Sequence, residues 1–515
     1  MLVKTYTASV QGLNAQQVTI EVNIARGIRF CMVGLPDGAV KESHERIVAA
    51  VENSGYKFPM KQITVNLAPA DVRKEGSAYD LPIAMAILAA DEQVPTALME
   101  RTMMVGELSL DGSVQPVKGV LPMAVKAHEL GYDNLIVPQA NVREGGVVAG
   151  IRVLGVSHIR EVVDFLCGRI ALIPYETDTK AEFERGQTEG LYDMADVRGQ
   201  ETVKRALEVA AAGGHNLIMV GTPGSGKSMM AKRIPSILPP LTLAESLETT
   251  QIHSVAGKLG KNASLVAVRP FRAPHHTISQ VALVGGGANA VPGEISLAHN
   301  GVLFCDELPE FQRQTLEVLR QPLEERVITV SRAKVTSEYP CNFMFVASMN
   351  PCPCGYFGDP HHRCTCTPGQ IGRYLSKISG PLLDRIDIHC EIQPVPFAEL
   401  SKMQPGEPSS AIRERVIKAR KIQEERYKDY EGIHCNAQMT EKMLHQYAEP
   451  DAQSLNMLRM AMERLKLSAR AYSRILKVAR TIADLAGSEK VQSMHIAEAI
   501  GYRNLDRGDW AERGI

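Results

Sequence analysis

Apolar and polar residues alternate through Val18-Thr19-Ile20-Glu21-Val22-Asn23-Ile24, the period-two signature of a half-buried strand. Gln62 to Leu67 repeats the pattern. Helical spacing covers residues 40–54, 80–91 and 119–130, so residues 1–170 read as an independent α/β unit. The stretch 171–190 is polar and charged and reads as a linker. An amphipathic helix then runs through Ala212. Three apolar segments follow at 216–220, 301–305 and 343–349, each suited to a strand buried on both faces. Residues 326–335 read as a β-hairpin ahead of the last of them. From about 396 the pattern becomes helical and charged, with amphipathic helices expected at 451–486 and 491–501. The expected division is therefore 1–170, a linker at 171–190, 191–395 and a helical 396–515.

Composition adds limits to this picture. A chain of 515 residues should hold about three domains, and a 44% hydrophobic content is ample for their cores. The net charge of −1 gives no global basic field to advertise nucleic acid, although a pore or one face can still be basic. The longest apolar run, Leu81 to Ala90, is too short to span a bilayer. No apolar segment of signal-peptide type follows Lys4, so a cytoplasmic protein without membrane contacts is expected.

The chemistry centres on Gly221-Thr222-Pro223-Gly224-Ser225-Gly226-Lys227-Ser228, which reads G-x-x-x-x-G-K-[ST] between an apolar strand and helix-forming residues. Such a loop folds backbone N–H groups around phosphates at a helix N-terminus. Lys227 is expected to reach the β- and γ-phosphates and Ser228 to ligate Mg²⁺. The strand 301–305 delivers Asp306 and Glu307 to the carboxyl edge where doubly wound sheets bind ligands. Asp306 is expected in the Mg²⁺ shell and Glu307 as the base that polarises water. Asn350 ends the next apolar strand, where its amide can orient that water. ATP and Mg²⁺ are the expected cofactors.

Other features leave alternatives open. Arg385 lies between Asp384 and Asp387, which can simply pair with it. Arg470 and Arg474 fall one turn apart on one helix face, either to meet phosphate or to be solvated. The basic run 412–421 can face nucleic acid or solvent, and so can Arg332 and Lys334 near the hairpin tip. His275 and His276 can be a metal pair, structural or substrate-facing.

Ten cysteines include Cys352, Cys354, Cys364 and Cys366, packed within fifteen residues. In a reducing compartment such a cluster suggests metal rather than disulfides. Two close pairs can hold a structural Zn²⁺ tetrahedrally, although C-x-C is tighter than the usual pair spacing. Free thiols and a redox pair are the alternatives.

Two N-terminal stretches, Lys74 to Pro82 and Gly106 to Gly119, resemble Lon-type proteases, and the likeness extends to Ala127-His128 and Leu135 to Pro138. The catalytic serine position falls on Ala78, with Ser77 one residue early. The lysine positions fall on Leu121 and Met123, with Lys118 and Lys126 out of register. A Lon-like fold kept as a scaffold or oligomerisation domain, without protease activity, is the expectation.

The nucleotide motifs resemble the AAA+ superfamily. By that resemblance, residues 196–200 lie near adenine, Asn350 is sensor 1, and Arg385 is a finger reaching a neighbouring subunit's γ-phosphate. Arg470, with Arg474 as runner-up, is the lid's sensor 2. The insert from Arg269 to Asn300 and the hairpin favour the magnesium-chelatase and minichromosome-maintenance branch, in which such hairpins enter a pore. Over nearly the whole chain the sequence resembles the magnesium-chelatase-like YifB/ComM family. The fold class implied is a P-loop AAA+ α/β core with an N-terminal Lon-protease-like α/β domain and a C-terminal helical lid. The resemblance implies a hexameric ring of identical chains and an ATP-driven helicase acting on single-stranded or branched DNA in recombination during transformation. Remodelling of protein partners is the second expectation, favoured by the near-neutral charge, and an ATP-driven protease the third.

Overall fold

The computed structural model describes residues 2–503 and 505, except 73, 177, 188–189, 261–262, 288–289, 332–335, 394–405 and 504. Lys466 also lies outside the described residues. Two sheets organise the molecule, one in each of its first two parts.

The N-terminal sheet begins with β1 (Leu2–Gln11), β2 (Asn14–Ala25) and β3 (Phe30–Val33). Helix α1 (Ser43–Asn53) precedes β4 (Gln62–Ala68) and α2 (Asp80–Ala90). Then come β5 (Thr102–Met104), α3 (Val120–Glu129), β6 (Asn134–Pro138), β7 (Arg152–Val156) and α4 (Ile159–Leu166). Strand order is β3-β4-β2-β1-β5-β6-β7. β1, β2 and β4 form an antiparallel centre, and the remaining pairs are parallel. The alternation seen at 18–24 belongs to a twelve-residue strand whose Val18, Ile20 and Val22 face the core. All eleven residues of α2 are buried, which explains its continuous apolar composition. The helix expected over 40–54 is broken at Glu42, between Gly38–Lys41 and α1.

The expected linker is not featureless. It carries a helix, Thr179–Gly186, capped by Asp178. Phe183 of this helix is buried with Leu121, Val147, Leu241 and Leu265, which joins the first two parts through a shared apolar cluster.

The second part opens with α5 (Glu201–Gly213), β8 (Leu217–Gly221), α6 (Lys227–Ala231) and α7 (Leu243–Val255). It continues through β9 (Phe271–Arg272), β10 (Val302–Cys305), β11 (Val327–Ser331), β12 (Thr336–Pro340) and β13 (Met344–Met349). Helix α8 (Pro368–Leu375) and β14 (Ile388–Ile392) complete it. The sheet order is β9-β10-β13-β8-β14, parallel throughout. β11 and β12 form the expected hairpin, from Val327 opposite Pro340 to Ser331 opposite Thr336. Its tip, with Arg332 and Lys334, lies outside the described residues.

The C-terminal part is helical: α9 (Ser409–Tyr427), α10 (Glu441–Tyr447), α11 (Ala452–Leu465), α12 (Ala469–Leu485) and α13 (Ser493–Gly501). The segment 451–486 is two helices, α11 and α12, rather than one. The basic face of α9 is largely used internally. Arg413 donates to the Ser236 carbonyl, Arg415 pairs with Glu208 and Glu407, and Arg420 donates to the Ala211 carbonyl. Lys418 and Lys421 alone of the run's basic residues are exposed. Among the described residues no helix is long and apolar enough to cross a membrane.

Candidate nucleotide-binding site

Register brings the candidate site together. Leu217 pairs with both Val346 and Ile388, and Val302 with Met344, so the strands end at one level. Gly221, Asp306, Asn350 and Ile392 all leave the sheet at its carboxyl edge. The loop from Gly221 to Ser228 closes over that edge. Gly224 and Gly226 have φ of +77° and +90°, backbone that side-chain-bearing residues rarely adopt. A Cβ on Gly221 would lie 2.7 Å from the Ile392 carbonyl oxygen, so only glycine permits this approach. Thr222, Pro223 and Ser225 fill the turn between these glycines.

Lys227 is buried, and its Nζ donates to the carbonyls of Gly221 (2.7 Å) and Thr222 (2.9 Å) and to Asn350 Oδ1 (3.2 Å). Burial lowers its pKa, against the opposing pull of Asp306 and Glu307. Ser228 Oγ donates to Asp306 Oδ2 at 2.6 Å. The other Asp306 oxygen accepts from Ser348 Oγ and from the Glu307 backbone N–H at 3.1 Å. A hydroxyl and a carboxylate side by side are hard oxygen donors of the kind Mg²⁺ takes with phosphates and waters, so Ser228 and Asp306 could hold it. Ser348 is a residue that sequence reasoning missed. The available signal was a hydroxyl inside the otherwise apolar run 343–349.

Glu307 has φ of +53° and a side chain 55% exposed. Its Oε2 lies 3.6 Å from His276 Nδ1. The His275 and His276 rings lie against each other with centroids 4.1 Å apart, tilted by 33°. Of the readings open for the pair, His276 thus faces the carboxylate expected to act as base.

Arg385 and Arg470 are not brought to this loop. Arg385 precedes Ile388, which pairs with Leu217 at the amino edge of the sheet, a strand length of roughly 16 Å from the loop. Neither Asp384 nor Asp387 holds it. Its Nη2 pairs with Glu324 and its Nη1 donates to the Pro381 carbonyl. Asp384 pairs instead with Arg470 at 3.0 Å, and Asp387 with Arg474 at 3.0 Å. Asp387 is fully buried. Burial alone would raise its pKa, yet Arg474 and His215 hold it far below the usual carboxylate range. Glu324, Asp384, Arg385, Arg470, Arg474 and Lys477 line one cavity of about 220 Å³. The chain therefore carries the glycine-rich loop at one sheet edge and, at the other, a pocket in which Arg385, Arg470, Arg474 and Lys477 stand among Glu324, Asp384 and Glu441.

Cys352, Cys354, Cys364 and Cys366 converge. Their Sγ atoms all lie within 4.8 Å of one another, with pairs at 3.3, 3.5 and 3.7 Å. Thiolates around a tetrahedral Zn²⁺ at ~2.3 Å stand roughly 3.8 Å apart, so the set fits that ion. No disulfide joins any of the cysteines.

In the N-terminal part, Ser77 Oγ hydrogen-bonds Glu107. Leu121 and Met123, which occupy the Lon lysine positions, are buried among apolar side chains. No amine thus stands where the dyad needs one.

Three family models match the chain. Residues 193–400 match magnesium chelatase, subunit ChlI. Residues 20–141 match subunit ChlI of Mg-chelatase, and residues 406–503 its C-terminal model. YifB, an uncharacterised protein of Escherichia coli, is 44% identical over 509 residues, covering 98% of this chain and 97% of its own. The competence protein ComM of Haemophilus influenzae is 43% identical over 506 residues, with the same coverage. A Lon protease of Mycoplasma mobile is 27% identical over 166 residues, 30% of this chain and 19% of that protein. These likenesses, over almost its full length, make the chain a member of the YifB/ComM family of magnesium-chelatase-like ATPases.

Proposed function

We propose that the protein hydrolyses ATP as a ring of identical subunits, with each site completed by a neighbour, and that the ring moves DNA. One observation carries the assembly: the loop with Lys227, Ser228, Asp306, Glu307 and Asn350 lies at one sheet edge, and Arg385 with Arg470 at the other. Head-to-tail packing brings the second edge of one subunit to the first edge of the next, and closure of such contacts makes a ring. ATP with Mg²⁺ sits in the loop. Lys227 holds the phosphates, Ser228 and Asp306 the metal, Glu307 polarises water and Asn350 orients it. The neighbour's Arg385 stabilises transition-state charge. Arg470 acts beside Arg385 in that neighbour's pocket, rather than over its own subunit's loop. The four cysteines hold a structural Zn²⁺.

DNA as substrate rests on the likeness to a competence protein and on the hairpin β11–β12. The activity proposed is branch migration of recombination intermediates by a hexamer in the cytoplasm, in support of transformation. A second reading, remodelling of protein partners, is favoured by the net charge of −1. Unwinding of synthetic branched DNA, with Glu307→Gln as control, separates the two. ATP-dependent conversion by the wild type alone supports DNA, and ATP turnover without movement of any DNA substrate sinks it.

A further inference from the structure

The cysteine cluster touches the nucleotide loop. Gly355, one residue past Cys354, has φ of +88°, and a Cβ built on it would stand 2.7 Å from both Cγ and Cδ of Pro223. The backbone of the cysteine loop therefore rests directly on the crest of the phosphate-binding loop. Cys352 lies two residues after Asn350, whose side chain accepts from Lys227. On the far side, Cys366 is followed by Thr367, the cap of α8, and the Tyr374 hydroxyl of that helix bonds the Asn350 backbone.

Residues 351–367 contain no helix or strand of their own. Their shape rests on the meeting of the two cysteine pairs together with the turn in which Asp359 accepts from the His361 and His362 N–H groups and the packing of Phe357. Two backbone N–H groups already point at sulfur, Cys354 to Cys366 Sγ and Cys366 to Cys364 Sγ, both at 3.4 Å. Four thiols this close repel once ionised, and a divalent cation reverses that balance. Metal binding of this kind supplies the ordering free energy of a loop that otherwise lacks it.

We infer that a zinc ion on Cys352, Cys354, Cys364 and Cys366 sets the shape of the phosphate-binding loop through the Gly355–Pro223 contact, so that nucleotide affinity depends on metal loading. This rests on the reading of residues 221–228 as the nucleotide site. The metal is part of the nucleotide pocket's support, and a zinc-free chain is a poor binder of ATP even with every phosphate-contacting residue intact.

The test uses the full chain and a fluorescent ADP analogue without Mg²⁺, so that chelation does not disturb the nucleotide. Zinc is counted per chain. It is then stripped with a mercurial thiol reagent and chelator, the thiols are regenerated with reductant, and zinc is returned. One zinc per chain, at least tenfold weaker binding after stripping, and recovery on reloading are expected. Gly355→Ala should keep its zinc and lose at least tenfold in affinity. Gly358→Ala is the control, because Gly358 has a similar φ of +80° but nothing within 4 Å of an added Cβ. It should bind as the wild type does. Absence of zinc overturns the metal site. Unchanged affinity after stripping, or in Gly355→Ala, overturns the coupling. Failure of the zinc-loaded wild type to bind the analogue, with Lys227→Ala equally silent, instead overturns the nucleotide reading on which the coupling depends.

Discussion

His276 Nδ1 stands 3.6 Å from Glu307 Oε2, so a residue of the long insert lies beside the carboxylate proposed as the base. Glu307 is otherwise more than half exposed and sits on left-handed backbone. Removing the carboxylate by Glu307→Gln should cut ATP turnover by about 10²-fold or more and leave nucleotide binding intact. Removing its support by His276→Ala should lower kcat about three- to tenfold with KM nearly unchanged, since the imidazole touches the base and not the loop. Steady-state ATPase kinetics of both variants check this. A His276→Ala enzyme with wild-type kcat would show that the contact is incidental.

Two inactive variants should rescue each other. Lys227→Ala spoils the loop but keeps Arg385, and Arg385→Ala does the reverse. If each site draws on two subunits, an equal mixture recovers roughly a quarter of wild-type turnover, the fraction of interfaces that pair two intact halves. ATPase activity no greater than the sum of the separate variants would place both groups in one subunit's site.

Lys477 makes the pocket around Arg385 sensitive to pH. Burial, then the neighbouring Arg474 charge, pushes its amine down to about 8. The unfolded chain keeps that proton to about 10.4. Between those values the unfolded state binds more protons, so stability rises with pH from about 8 to 10, and below 8 the full penalty applies. Lys477→Met should therefore raise the unfolding free energy at pH 7, and with it the urea midpoint, by about 1 kcal/mol of stability after its lost bond to the Ala437 carbonyl. It should also flatten the rise between pH 8 and 10. Unfolding curves at pH 7, 8.5 and 10 decide the matter, and a profile unchanged by the substitution contradicts it.

Beside the apolar cluster of Phe183, a buried carboxylate ties the first two parts together. Glu144 Oε1 accepts from the Leu121 N–H and from Ser254 Oγ at the end of α7, and Oε2 accepts from Asn141. Ser254→Ala leaves that oxygen short of a partner and should destabilise the protein by about 1–3 kcal/mol. Nucleotide affinity should stay as in the wild type. A lower melting temperature with unchanged binding is the expected pair of results.

The carboxyl edge was legible because each of its residues follows an apolar run, and in a parallel sheet every such run ends on the same side. Position relative to the strand thus fixed Lys227, Asp306 and Asn350 before any contact was known. Arg385 and Arg470 were legible as residues but not as places. Nothing in local spacing says that Arg385 takes Glu324 as partner, sixty-one residues away, and leaves its neighbours Asp384 and Asp387 to Arg470 and Arg474. The basic run on α9 misled for a related reason. Its arginines are spent on carbonyls and carboxylates of α5 and the turn after α6, partners that only the packed structure supplies. The stretch 171–190 hid Phe183 among charges, and its ring is buried in the cluster that joins the first two parts, with Ser264–Glu182 and Gln187–Leu241 hydrogen bonds beside it.

Gly12 turns the chain between β1 and β2 with φ of +60°, and an added Cβ there would lie 3.5 Å from Ser337 on β12. Leu13, next to it, packs against both the hairpin's cluster and the end of α7. From this point β1 and β2 run away together for ten paired residues, a stiff rod of about 33 Å. The turn between β1 and β2 is therefore the point where the N-terminal sheet meets the hairpin of the second part, so a substitution at Leu13 would loosen both at once.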